Sequence, residues 1–188
     1  EKYYDICKDN IRNVTCQEQG LNKEMEENVL NHLVSVFADL DITITDESRI
    51  EHGFVLPCAG TSELDSSIIV IMVLDPEEST IIIHAVSSFA VPDDKMTSIV
   101  ELVNRINRLC GNQHLFVDSQ SKKCAFLHGI RLENGLLPKE EFLNAFRGII
   151  ANVLCWFPLL QELIMFGGVS SDLIRKRIPC YNDKTTIY

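Results

Sequence analysis

Between Met96 and Asn134 the sequence runs helix, strand, turn, strand without a break, and no other stretch restricts the fold as much. At about 100° per residue, Met96, Ile99, Val100, Val103, Ile106 and Cys110 fall on one side of a helix, and Leu102 and Leu109 widen that stripe to about half the circumference. Gly111 supplies the left-handed residue that stops the helix. Leu115 and Val117 then alternate with His114, Phe116 and Asp118. The polar run Ser119 to Lys123 turns the chain, and Cys124, Phe126, His128, Ile130 and Leu132 alternate again. An amphipathic helix feeds a β-hairpin.

The flanking sequence extends this pattern in both directions. Residues 1–20 carry Tyr3, Tyr4, Ile6, Ile11 and Val14 among polar residues, enough for one short helix. From Asn22, an acceptable N-cap, Met25, Val29, Leu30, Leu33, Val34, Phe37 and Leu40 recur at helical spacing. Ile50, His52, Phe54 and Leu56 predict a strand closed by Pro57, and a loop over Ala59 to Ser66 follows. Ser67 to Leu74 is apolar almost throughout, which predicts a strand covered on both faces. Asp75-Pro76-Glu77-Glu78 turns the chain into a third strand over Thr80 to Val86. Pro92-Asp93-Asp94 leads into the central helix, and Glu133-Asn134-Gly135 is a turn after the second hairpin. A last helix starts at Pro138 and buries Phe142, Phe146, Ile149, Ile150, Val153, Phe157, Leu160 and Ile164. Pro158 falls on its polar side, where a kink is expected, and Gly167-Gly168 ends it. The expected class is α+β: helix, three strands, helix, two strands, helix. Its organisation is an N-terminal extension over 1–20, one domain over 21–166 and a tail over 167–188.

That order, together with Asn104-Arg105-Ile106-Asn107 in the central helix and the Leu-Glu-Asn-Gly-Leu-Leu turn at Leu132 to Leu137, resembles the YbjN-like family of proteins classed as bacterial sensory transduction regulators. That family shares the fold of type III secretion chaperones. The resemblance spans about Leu21 to Phe166. It implies an antiparallel sheet packed against helices, frequent homodimers and a role in binding other proteins. The extra segments at both ends depart from a simple chaperone.

The formal charge of −10 opposes phosphate backbones and anionic lipid, so nucleic acid and membrane surfaces are not expected partners. Seven cysteines stand singly at 7, 16, 58, 110, 124, 155 and 180, with no CxxC pair, which fits a reducing cytoplasm better than a disulfide framework. The sequon at Asn13 is then a chance match. No run approaches the length needed to span a bilayer.

Catalytic signals are weak. Neither a nucleophile elbow nor a phosphate-cradling glycine loop is present, and the histidines, four of them on predicted strands at 52, 84, 114 and 128, form no local ligand pair. No cofactor or metal is expected. Asn107 projects into the apolar stripe and requires hydrogen-bond partners, most simply a strand end or loop carbonyl; Asn104 sits at the rim and Arg105 on the polar side. The surplus apolar edge at Leu102 and Leu109 exceeds what one sheet needs and points to a homodimer. The reading is a non-enzymatic, chaperone-like or regulatory protein-binding module; the alternative is a small-molecule or metal-sensing domain.

Overall fold

The computed structural model describes residues 23–58 and 68–168. The expected N-terminal helix, the 59–66 loop and the tail beyond Gly168 lie outside the described residues. Among these, the elements in chain order are helix α1 (Lys23–Ala38), strands β1 (Arg49–Ile50), β2 (Gly53–Cys58), β3 (Ile68–Asp75) and β4 (Thr80–Ala90), helix α2 (Met96–Asn107), strands β5 (His114–Val117) and β6 (Lys123–Arg131), and helix α3 (Lys139–Phe166). All strand pairs are antiparallel, in the order β1-β2-β3-β4-β6-β5. The α+β class and the alternation of helices and strands are those expected from the sequence.

Cross-strand register sorts the side chains into two faces, because successive residues of a strand point to opposite sides. Leu56, Val70, Ala85, Phe126 and Leu115 stand opposite one another in one row, all buried. The helices cover this row. Phe157 of α3 stacks on Phe126 at 5.8 Å between ring centroids, and Phe37 of α1 meets Phe142 and Phe146 of α3 edge-on at 5.6 and 5.5 Å. The opposite row, Val55, Ile71, His84, Leu127 and His114, lies on the face away from the helices.

That division qualifies the expectation for β3. Ile68, Val70, Met72 and Leu74, on the helix side, are 4% exposed or less, whereas on the other side Ile71 is 7% exposed and Ile69 and Val73 are half-buried. The strand is apolar on both faces, but the described helices seal one.

Three local expectations are corrected. The strand placed over Ile50 to Leu56 is broken by a tight turn at Glu51-His52, which adds the two-residue β1 and puts His52 in the turn. Gly53 permits this: a Cβ there would lie 1.8 Å from the Met72 carbonyl oxygen, so only glycine lets β2 start so close to β3. Pro57 does not close the strand, since β1 pairs only with Gly53 and Phe54 and the rest of β2 is a sheet edge, where proline is tolerated. Likewise β4 runs four residues past Val86, through a register shift between Val86 and Ala90. The buried Ser87 hydroxyl spans the irregularity, accepting from the Cys124 amide at 3.1 Å and donating to the Phe89 carbonyl at 2.7 Å.

The third correction concerns α3. Pro158 is not on a wet side of the helix; it is buried, as are all five residues from Trp156 to Leu160, and the helix continues through it to Phe166. Gly167 ends it in the left-handed conformation with φ 73°. At 28 residues, α3 is long and apolar enough to cross a bilayer, contrary to the sequence expectation. It is nevertheless a core helix here: Phe142, Ile149, Val153, Phe157 and Leu160 are 1% exposed or less beneath the sheet. Lys139 at its start pairs with Asp39 beyond the end of α1 at 2.7 Å.

Replacing Gly53 by Ala should cost on the order of 2 kcal/mol or more, because backbone must move to admit the methyl group. Gly129→Ala, whose Cβ would meet nothing nearer than the Thr80 methyl at 3.4 Å, serves as the comparison and should change stability little. Urea denaturation of both variants checks this; equal midpoints would contradict the close approach at Gly53.

Candidate protein-binding surface

Helix α2 is fixed at its C-terminal end by the side chain of Asn107. Its Nδ2 donates to the Leu115 carbonyl at 2.8 Å and its Oδ1 accepts from the Leu115 amide at 2.7 Å. Strand β5 pairs with β6 on one side only, so the backbone of Leu115 on the other side would lack partners without this amide. Asn107 thus acts as one residue of a further strand. A side-chain amide is suited to it, since it presents a donor and an acceptor side by side as a peptide group does.

A second amide, this one buried, holds α3 to the same end of the sheet. Gln113, 7% exposed, donates to the Ala145 carbonyl at 3.2 Å and accepts from Asn152 at 2.6 Å. Gly148 leaves room for it: a Cβ there would lie 2.6 Å from Gln113 Nε2. The one sign of this contact legible beforehand is a glycine inside an apolar helix.

The residues flanking Asn107 divide between interior and surface. Ile99, Leu102, Val103 and Ile106 are buried, Arg105 is half-buried and Asn104 is exposed. The expected surplus edge is therefore split. Leu102, at 9% exposure, belongs to the chain's own core, because α2 packs against α3 as well as the sheet, while Leu109 is 61% exposed. Val100, placed in the buried stripe by its phase, is 40% exposed.

α2 lies antiparallel to the second half of α3. Cys110, just beyond α2, meets Cys155 and Trp156, while the position a Gly167 side chain would occupy is 3.7 Å from Lys95 Nζ at the other end. Besides Val100 and Leu109, this helix pair exposes Leu154, Met165 and Phe166, the last at 72%. Met165 and Phe166 stand just before the terminating Gly167-Gly168, and that proximity is the sign in the sequence that the core stops before them.

The ionisable groups offer no activated nucleophile among the described residues. Burial pushes the Cys124 thiol up to about 12; burial and the neighbouring Cys155 push Cys110 up to about 11 against a hydrogen bond with Trp156. Thiolates are the reactive form, so both are poorly reactive at neutral pH. Among the described residues no group of three His, Cys, Asp or Glu side chains is placed to hold a metal ion. His52 instead bonds Glu26 of α1, and His128 meets the Asn112 carbonyl at 3.2 Å. His84 sits between Ile71 and Leu127 on the helix-free face, with His114 farther along the row, and loss of water holds its imidazole below the ordinary value of 6.5.

Comparison with known proteins bears on the fold. No family model matches the chain, and no curated protein matches it by sequence. The crystal structure of YbjN from E. coli, to which a role in transcription regulation is ascribed, superposes with a TM-score of 0.53 and 16% identity, covering 71% of this chain and 90% of that one. A chain from the crystal structure of the ExsC-ExsE complex gives a TM-score of 0.48 and 14% identity, covering 72% and 95%. The fold is YbjN-like, as the residues from Asn104 to Asn107 and the Leu132 to Leu137 turn suggested.

Two outcomes follow from the geometry. Asn107→Leu should destabilise by about 1 to 3 kcal/mol through the unpaired Leu115 amide and carbonyl, whereas Asn104→Ala and Arg105→Ala should be mild; chemical denaturation of the three separates them. His84, with its pKa lowered on folding, favours the folded state fully above about pH 6.5 and progressively less as pH falls below that value. His84→Leu should therefore flatten the decline in stability between pH 7 and 5, measured as denaturation midpoints across that range, and an unchanged slope would assign the decline to other groups.

Proposed function

We propose that the protein is a non-enzymatic protein-binding module, regulatory or chaperone-like, that acts as a cytoplasmic homodimer. The observation that carries this reading is the exposed apolar surface of the α2 and α3 pair, with Leu109 at 61%, Met165 at 56% and Phe166 at 72% exposure. Large apolar side chains left in water generally mark a site of association, and a twofold partner is the commonest way to cover them. The charge of −10 narrows the mode of action. A regulator so acidic has no electrostatic drive toward DNA, so regulation through protein contacts is favoured over direct operator binding. The YbjN-like fold supports the regulatory half of the reading.

Light scattering over a dilution series tests the dimer. The expected result is a dimer mass at tens of micromolar that falls toward the monomer on dilution, with Leu109→Asp raising the dissociation constant tenfold or more. Leu109 is suitable because its side chain is largely outside the core; Leu102→Asp would unfold the chain instead. A monomer mass at high micromolar concentration, unaffected by Leu109→Asp, would overturn the dimer.

A further inference from the structure

We infer that the homodimer is isologous and antiparallel along α2, with Glu101 of each copy paired to Arg108 of the other. This rests on the dimer reading and names its contact. At about 100° per residue, Thr97, Glu101, Asn104 and Arg108 fall within about 60° of arc around α2. Arg108 caps the helix and keeps its phase, because the backbone there retains helical angles, φ −70° and ψ −15°. All four are exposed, on the side opposite the buried Ile99, Leu102, Val103 and Ile106. Among the described residues neither Glu101 nor Arg108 forms an ion pair.

The order of charge selects the arrangement. Two copies of one helix that face each other across a twofold axis run either parallel or antiparallel. A parallel pair sets Glu101 against Glu101 and Arg108 against Arg108, and like charges face to face oppose association. An antiparallel pair reverses one order, so each carboxylate stands level with a guanidinium when the axis passes between Asn104 and Arg105. Glu101 and Arg108 lie about 10 Å apart along the helix, so the two cross-copy pairs flank the axis at about 5 Å on either side. Asn104 then lies beside the axis and faces its own counterpart. An amide carries both a donor and an acceptor, so two copies of it satisfy one another, and a polar residue at the seam of paired helices fixes their register.

The exposed residues of α3 fit the same axis. α2 and the second half of α3 run antiparallel, with Cys110 beside Cys155 at one end and Lys95 beside Gly167 at the other. On a straight run between those two contacts, the point between Asn104 and Arg105 is level with Leu159 and Leu160. Leu154 and Met165 lie equally far to either side of that level and within about 20° of each other around α3, and they are 36% and 56% exposed. The axis therefore brings Leu154 of one copy level with Met165 of the other. Apolar side chains supply the attraction, while the charges on α2 set the orientation and exclude the parallel alternative.

Charge reversal in the intact chain tests this, with mass read by light scattering and composition by native mass spectrometry. Glu101→Arg alone and Arg108→Glu alone each place like charges in contact, and each should raise the dissociation constant at least tenfold. Mixed in equal amounts, the two variants should recover the parent dissociation constant as a heterodimer with one copy of each, because every cross-copy pair is again opposite in sign. Recovery also shows that both variants are folded. A parent dimer that neither reversal weakens, or weakened variants whose mixture does not recover, would overturn the antiparallel pairing and leave the homodimer to another contact. A parent chain that is a monomer at high micromolar concentration would overturn the homodimer and this contact with it.

Discussion

The architecture depends on a single constraint: six antiparallel strands must hide one face, and α3 is the element long enough to cross most of them. Its Phe157 stacks on Phe126 while its Phe142 and Phe146 hold Phe37 of α1, so one helix ties the second hairpin to the first helix. Each fully buried phenylalanine is worth about 1.5 to 3 kcal/mol of removed apolar surface, and edge-on or offset ring pairs add about 0.5 to 1.5 kcal/mol. Contacts of this size in one connected cluster outweigh any of the surface ion pairs, such as Lys122 with the exposed Asp93. The same helix carries Pro158 in its interior. Burial on both sides offsets the lost backbone bond well enough that the helix continues.

Among the described residues, three polar side chains in or beside this interior serve backbone groups. Asn107 supplies the missing neighbour of Leu115, Gln113 bridges the Ala145 carbonyl and Asn152, and Ser87 spans the irregular part of β4. In each case the side chain satisfies a backbone group that the sheet or helix leaves unpaired, which is the condition under which burying it is tolerable. These three contacts position α2, α3 and the second hairpin relative to each other, and thereby decide which apolar residues of the helix pair remain at the surface.

Much of this was legible in the sequence because it depends on short-range periodicity. The 3.6-residue pattern located α1, α2 and α3 closely, and alternation located β5 and β6 with their turn. The need of Asn107 for partners was readable from its phase alone, and a strand backbone supplies them. What escaped depends on approach between distant segments. The turn before Gly53 exists because β2 passes within contact of the Met72 carbonyl, and nothing local to residues 50–56 reports that. Leu102 was read as surplus because a helix on a sheet needs a narrower stripe; the stripe is wide because α2 also faces α3. Pro158 was placed in water for the same reason, a projection of one helix that ignored its neighbours.

The two ends of the sheet carry a further consequence. β5 closes one end, with the Asn107 amide occupying the backbone of Leu115, and β2 closes the other, with β1 covering its first two residues and Pro57 standing in the uncovered part. Among the described residues, neither end offers a long run of free amides and carbonyls on which a strand from another molecule would align. Growth of the sheet from chain to chain, the route to open-ended fibres, is thereby blocked at both ends. Association is then left to side-chain surfaces, such as the exposed Leu109, Met165 and Phe166, and not to backbone pairing.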